Sequence, residues 1–104
     1  MRTFKRVVAV SCFALSVCAA QSFAGEPDEG VALASEKGCV ACHGKDGVAI
    51  APIYPNLAGQ WKRYLREQLH AYRSGRRQNN VMQGFAVGLT DEEIRRLADH
   101  YGAR

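Results

Sequence analysis

Residues 38–44 read Gly-Cys-Val-Ala-Cys-His-Gly: two thiols three positions apart, with an imidazole directly after the second. What that cluster means depends on which cysteines the working chain keeps. The 104-residue sequence holds four, and Cys12 and Cys18 lie in a leader of three parts. Arg2, Lys5 and Arg6 make a basic start, Val7 to Ala20 run without a charge, and Ser22-Phe23-Ala24 places small residues at its ends. That pattern is a secretory signal, with cleavage expected after Ala24. The apolar run is shorter than the roughly 18 to 20 residues that a membrane-spanning helix requires. Leu15-Ser16-Val17-Cys18 has the outline of a lipid-attachment site, although Val17 is bulky for its place there.

The expected division is a cleaved signal over 1–24 and a single domain over 25–104. Removing the signal takes three of the 14 lysines and arginines and none of the ten acids, leaving 11 against 10 and a net charge of +1. The basic excess therefore belongs mainly to the leader. No nucleic-acid partner is expected, nor a stable membrane anchor in the mature form. Only Cys39 and Cys42 remain, too few for a disulfide framework. A domain of this size rarely draws more than about 3–5 kcal/mol from its core alone, so it needs a staple.

Four readings compete for Cys39-Val40-Ala41-Cys42-His43. In covalent haem attachment each thiol adds to one vinyl group of the porphyrin, and the next residue gives an imidazole to the iron; CxxCH is the signature of that chemistry. Structural zinc wants four ligands, usually in two pairs, and His70 and His100 are far apart in sequence and unpaired. A thiol–disulfide site would sit at a strand-to-helix junction, and no strand pattern is visible. A plain disulfide is the fourth. The exported context and the need for a staple favour haem, with both cysteines as thioethers and His43 as an axial iron ligand.

The rest of the chain reads as helices and long loops. Gly30 to Lys37 is a short helical stretch. Pro52 and Pro55 break the segment from Gly44 to Gly59. Trp61, Tyr64, Leu65, Leu69 and Tyr72 repeat on one face of a helix expected over 60–74, which Gly75 stops. Residues 76–89 read as a second irregular loop. Thr90 and Glu93 form a capping box for a last helix that buries Ile94, Leu97, Ala98 and Tyr101 and ends at Gly102. The expectation is an all-α domain of three to four helices whose loops wrap one covalent haem.

The second axial ligand decides what the iron can do. Outside the leader Met82 is the only methionine, and it stands among polar neighbours in NNVMQG, a poor place for packing and a good one for a ligand on a loop. His70 and His100 are the rivals. A ligating histidine normally donates its other ring nitrogen to an acceptor. Pro55 offers a carbonyl for that role, and could equally be a rigid turn.

As an ordered set, CVACHG, YPNLAGQ (54–60), YLREQLHAYRSGRR (64–77), Met82 and LTDEEIRRLADHYG (89–102) resemble the class I c-type cytochromes. The likeness is to the small single-haem bacterial type and to one half of the two-haem type-four cytochromes. It implies His43 and Met82 on the iron, Pro55 accepting from His43, and a crossing of first and last helices with Gly30 against Tyr101. It also implies one haem, since there is one motif. The expected function is one-electron transfer in the periplasm rather than catalysis. The alternative is a haem subunit of a larger dehydrogenase or oxidase complex. Lys62, Arg63, Arg66, Arg73, Arg76 and Arg77 concentrate positive charge in one stretch, either as a solvated face or as a docking surface for an acidic redox partner.

Overall fold

A computed structural model describes residues 29–103. The expected signal, its cleavage point and the lipid-attachment outline at Cys18 lie outside them. Among the described residues there are five helices and no strand. They are α1 (Glu29–Glu36), α2 (Val40–His43), α3 (Lys62–Ser74), α4 (Asn80–Ala86) and α5 (Asp91–Tyr101).

The last helix organises the others. Its stripe of Ile94, Leu97, Ala98 and Tyr101 is buried, as the spacing predicts, and packs α5 across both α1 and α3. From α1 the chain contributes Leu33 and Ala34 to that core; from α3, Leu65; from α4 and its exit, Ala86 and Leu89. Polar links fasten the same crossing. Lys37 meets Glu93 at 2.9 Å and Arg96 meets Glu29 at 3.1 Å. Such partly exposed pairs fix register more than they add stability.

The capping box forms as expected. The Thr90 hydroxyl accepts from Glu93 N at 3.1 Å, and Thr90 N donates to the Glu93 carboxylate at 2.9 Å. Thr90→Ala should cost about 0.5–2 kcal/mol, measurable as a lower urea midpoint at unchanged slope.

At the far end of α5 the Tyr101 hydroxyl, buried, donates to Gly44 O at 3.0 Å. Its ring lies beside Gly47, where an added Cβ would come within 3.1 Å of it and 2.6 Å of Ala58 N. Gly47 also has φ +81°, and its carbonyl accepts from Leu57 N (2.7 Å) and Ala58 N (3.0 Å). One glycine thus gathers the loop after His43 and pins it to α5. The first and last helices do cross, and Gly30 is buried in α1. The Tyr101 side chain itself reaches Gly44 and Gly47 and lies beside the neighbouring His100 ring.

Burial pushes the Tyr101 hydroxyl up to about 12. The folded state therefore favours the neutral phenol, and that contribution is complete below pH 10. It should fade as pH climbs from about 10 to 12, where the unfolded side chain ionises first. Tyr101→Phe should remove this part of the alkaline loss and cost about 0.5–1.5 kcal/mol at neutral pH through the lost hydrogen bond. Denaturant titrations of both proteins across that range check it.

Two expectations need correction. Residues 76–89 are not all loop, because α4 occupies Asn80–Ala86. The Asn79 side chain caps it, accepting from Val81 N (3.1 Å) and Met82 N (3.0 Å). Trp61 does not join the apolar face of α3. It precedes the helix in an extended conformation, is 62% exposed, and pairs as an isolated bridge with Ala103. Gly75 ends α3 in the left-handed conformation at φ +80°.

Candidate cofactor site

The Cys39-to-His43 stretch is one turn of helix. His43 N and Gly44 N close it onto Cys39 O (2.9 Å) and Val40 O (3.1 Å). Both thiols are free and half-buried. Burial pushes the Cys39 thiol up, the opposite of what a nucleophilic CxxC cysteine requires. Among the described residues no three His, Cys, Asp or Glu side chains gather as a metal cluster, which leaves structural zinc without a ligand set.

His43 is 6% exposed, and its Nδ1 lies 2.9 Å from Pro55 O. A carbonyl can only accept, so Nδ1 carries the proton and Nε2 keeps a lone pair. The Pro55 loop is held by its neighbours: Ala49 N donates to Asn56 Oδ1 at 2.7 Å, and Ile50 N to Cys42 O at 3.1 Å.

Two cavities open beside this turn, of about 900 and 680 Å³ counting the space at their mouths. Cys39, His43, Pro55 and Met82 border both. The larger runs along α3, walled by Tyr64, Leu65, Leu69 and Tyr72. The smaller is walled by Cys42, Ile53, Tyr54, Val81 and Phe85. Volumes of this size suit an organic cofactor. Among the loop and α4 apolar residues, Leu57, Ile53, Val81 and Phe85 border a cavity. Leu89 belongs to the core, while Ile50 and Trp61 are exposed. The sequence reading missed Gln68 and Arg77, which also line the larger cavity. Both are polar, and apolar periodicity cannot single them out.

Met82 stands in the first turn of α4 rather than on an irregular loop. The rival histidines are drawn elsewhere. His70 Nδ1 accepts from Arg73 Nη2 at 3.0 Å, His100 Nε2 donates to Lys45 O at 2.7 Å, and neither ring borders the two cavities.

The six clustered cations divide. Arg73 is a crosslink, donating to Leu89 O (3.0 Å) and Asp91 (2.6 Å), and it holds the Asp91 carboxyl below its usual range. Arg63 pairs with Glu67 at 3.0 Å. Arg77 lies over the Tyr72 ring. No hydrogen bond or ion pair engages the Arg66 or Arg76 guanidinium among the described residues.

The family model for cytochrome c matches residues 27–100. A cytochrome c-554(548) of Halomonas halodenitrificans is 48% identical over 69 residues, covering 64% of this chain and 83% of that protein. A cytochrome c4 of Thiocapsa roseopersicina is 41% identical over 80 residues, covering 77% of this chain and 41% of that protein. A thiosulfate dehydrogenase electron acceptor of Thiomonas intermedia is 39% identical over 106 residues, covering 97% of this chain and 46% of that protein. The chain thus spans most of the first relative and under half of the other two.

Proposed function

Because the chain belongs to the cytochrome c family, an electron-transfer family whose members carry covalent haem c, we propose that it is an exported, periplasmic one-electron carrier with His43 and Met82 as axial ligands. The carrying observation is that His43 and Met82 border the same two cavities as the thiol Cys39, with Cys42 on the wall of one. The donor set fits the group: two thiols on one helical turn, a buried imidazole with Nε2 available, a thioether, and apolar walls. When bound, the haem supplies an iron that cycles between ferric and ferrous states.

The protein's own residues do the rest. Pro55 O fixes the tautomer and plane of His43 and raises its basicity as a ligand. Met82, as the second iron ligand, would favour a high potential. Ile53, Val81 and Phe85 turn apolar surface to the smaller cavity, where they keep water from a bound porphyrin. Asn79 secures the turn that carries Met82 and would limit its movement between redox states.

Among the described residues no helix is long and apolar enough to cross a membrane. Arg66 and Arg76, with Lys62 and Arg63 near by in sequence, are the cations we assign to an acidic redox partner. Charge there speeds encounter more than it adds affinity. The name of the Thiomonas relative favours a dehydrogenase as donor. If the chain is instead a subunit of such a complex, it should co-purify at fixed stoichiometry. The test of the main reading is a visible spectrum of protein from a haem-maturing host, with an alkaline pyridine assay. One covalent haem per chain and a low-spin spectrum unchanged by carbon monoxide are expected. Rapid carbon monoxide binding by the unmodified protein would point to an open iron and a gas-binding role.

A further inference from the structure

Tyr54 stands one residue before Pro55, whose carbonyl holds His43, and it borders the smaller cavity together with Cys42 and His43. The loop builds its place. Ile50 N donates to Cys42 O at 3.1 Å, which brings the chain back to the thiol-bearing turn. A tight turn follows over Ala51-Pro52-Ile53-Tyr54, closed by Tyr54 N on Ala51 O at 3.1 Å. Pro52 takes its second position, where the fixed φ of proline suits such turns. The turn leaves Ile53 exposed and Tyr54 half-buried. The Tyr54 hydroxyl then donates to the Cys42 sulfur, and that bond raises the phenol above its ordinary value. Two consecutive loop residues thus meet two consecutive residues of the turn, Tyr54 on Cys42 and Pro55 on His43.

A thiol can give or take a hydrogen bond, but a sulfur joined to a porphyrin side chain has lost its proton and can only accept. A phenol offers its donor in either case. A hydroxyl on that sulfur draws charge away from the porphyrin edge. Its effect opposes that of Pro55 O, which makes His43 the more basic ligand. We propose that the Tyr54 hydroxyl, held by the Pro52 turn, donates to the Cys42 sulfur of the attached haem, fixes that thioether in one orientation and favours the reduced state. Tyr54 is a positioning residue, acting through Cys42. A thioether is a weak acceptor, so its influence on the potential is small beside that of an axial ligand.

This inference rests on the covalent-haem reading, and the experiment separates the two. Tyr54→Phe keeps the ring and removes the hydroxyl. It is prepared as holoprotein in the native and the Cys42→Ala backgrounds, beside the two parent proteins. All four are titrated spectroelectrochemically, and resonance Raman follows the C–S stretching modes in light and heavy water. Tyr54→Phe should raise the oxidised-to-reduced ratio at fixed potential about two- to threefold, on a scale where tenfold equals about 59 mV for one electron. In the Cys42→Ala background, where haem is held through Cys39 alone, the same substitution should change nothing. Heavy water should shift the Cys42 C–S mode of the wild-type protein and leave that of Tyr54→Phe in place. Pigmented Tyr54→Phe protein with the native midpoint and C–S modes overturns the assignment. So does an equal change of midpoint in both backgrounds, since the hydroxyl would then act elsewhere than on Cys42. If Tyr54→Phe does not fold, a wild-type Cys42 C–S mode that ignores heavy water overturns it instead. Colourless wild-type protein would defeat the haem reading, and this assignment with it.

Discussion

Met82→Ala should lower the midpoint potential by on the order of a hundred millivolts or more, a modest part of the ~0.8 V over which axial ligands move haem potentials. The thioether is a soft ligand that raises the potential relative to nitrogen donors. No second methionine stands in the described residues to replace it. His70 is held by Arg73 and His100 by Lys45 O, so neither is free to swing in without breaking an existing bond. The variant iron should therefore take water on that side and bind carbon monoxide within the time of mixing. Spectroelectrochemistry and a carbon monoxide difference spectrum test the two effects together. A Met82→Ala protein that keeps its midpoint and still excludes carbon monoxide would remove Met82 from the iron. The secondary structure should survive, because Met82 adds only its backbone N–H to the Asn79 cap, and alanine keeps that N–H.

The second large effect is on folding. Cys39→Ser combined with Cys42→Ser should give colourless protein without a cooperative thermal transition. Among the described residues only Ile94 and Leu97 are large side chains buried to below 2% exposure, and several core positions are alanine. The described chain buries little apolar surface on its own, and a domain of this length needs a further element to hold together. Haem would be that element, held at Cys39 and Cys42 beside the cavities that α3, α4 and the Cys39–His43 turn border. Each single variant should keep haem by one thioether, with a shifted absorption band and a lower melting temperature. Far- and near-ultraviolet circular dichroism of all three proteins would check this. A colourless double variant melting like the native holoprotein would show that the polypeptide needs no such filler.

How much of this was readable beforehand differs by element, for physical reasons. α5 was legible throughout, because its cap, its acidic first turn and its apolar stripe are all local signals that agree. The turn that brings the thiols and His43 together was legible as a motif, because covalent attachment would impose a fixed spacing. α4 was not. It has seven residues with Gly84 inside it, so its intrinsic preference is weak. Burial of Ala86 and the Asn79 cap hold it in place, and only the cap leaves a trace in the sequence, the Asn79-Asn80 pair. Trp61 misled because it falls at a helical interval from Tyr64 and Leu65 yet precedes the first helical turn. The six cations looked alike in a string. Space divides them into a crosslink at Arg73, a cavity residue at Arg77, a half-buried Arg66 and an exposed Arg76. Partners 16 and 18 positions away, Leu89 and Asp91, decided the fate of Arg73.

The ties from α5 back to the start of the domain have a consequence for the order of events in a cell. Arg96 reaches 67 positions back to Glu29, Tyr101 reaches 57 back to Gly44, and His100 reaches 55 back to Lys45. None of these can form on a chain whose last helix is still inside a ribosome or a translocation channel. Until α5 emerges, the loop that follows the thiol-bearing turn is not yet pinned to it. Arrival of the eleven-residue helix completes these ties, so the described domain closes only after the thiol-bearing turn has been made.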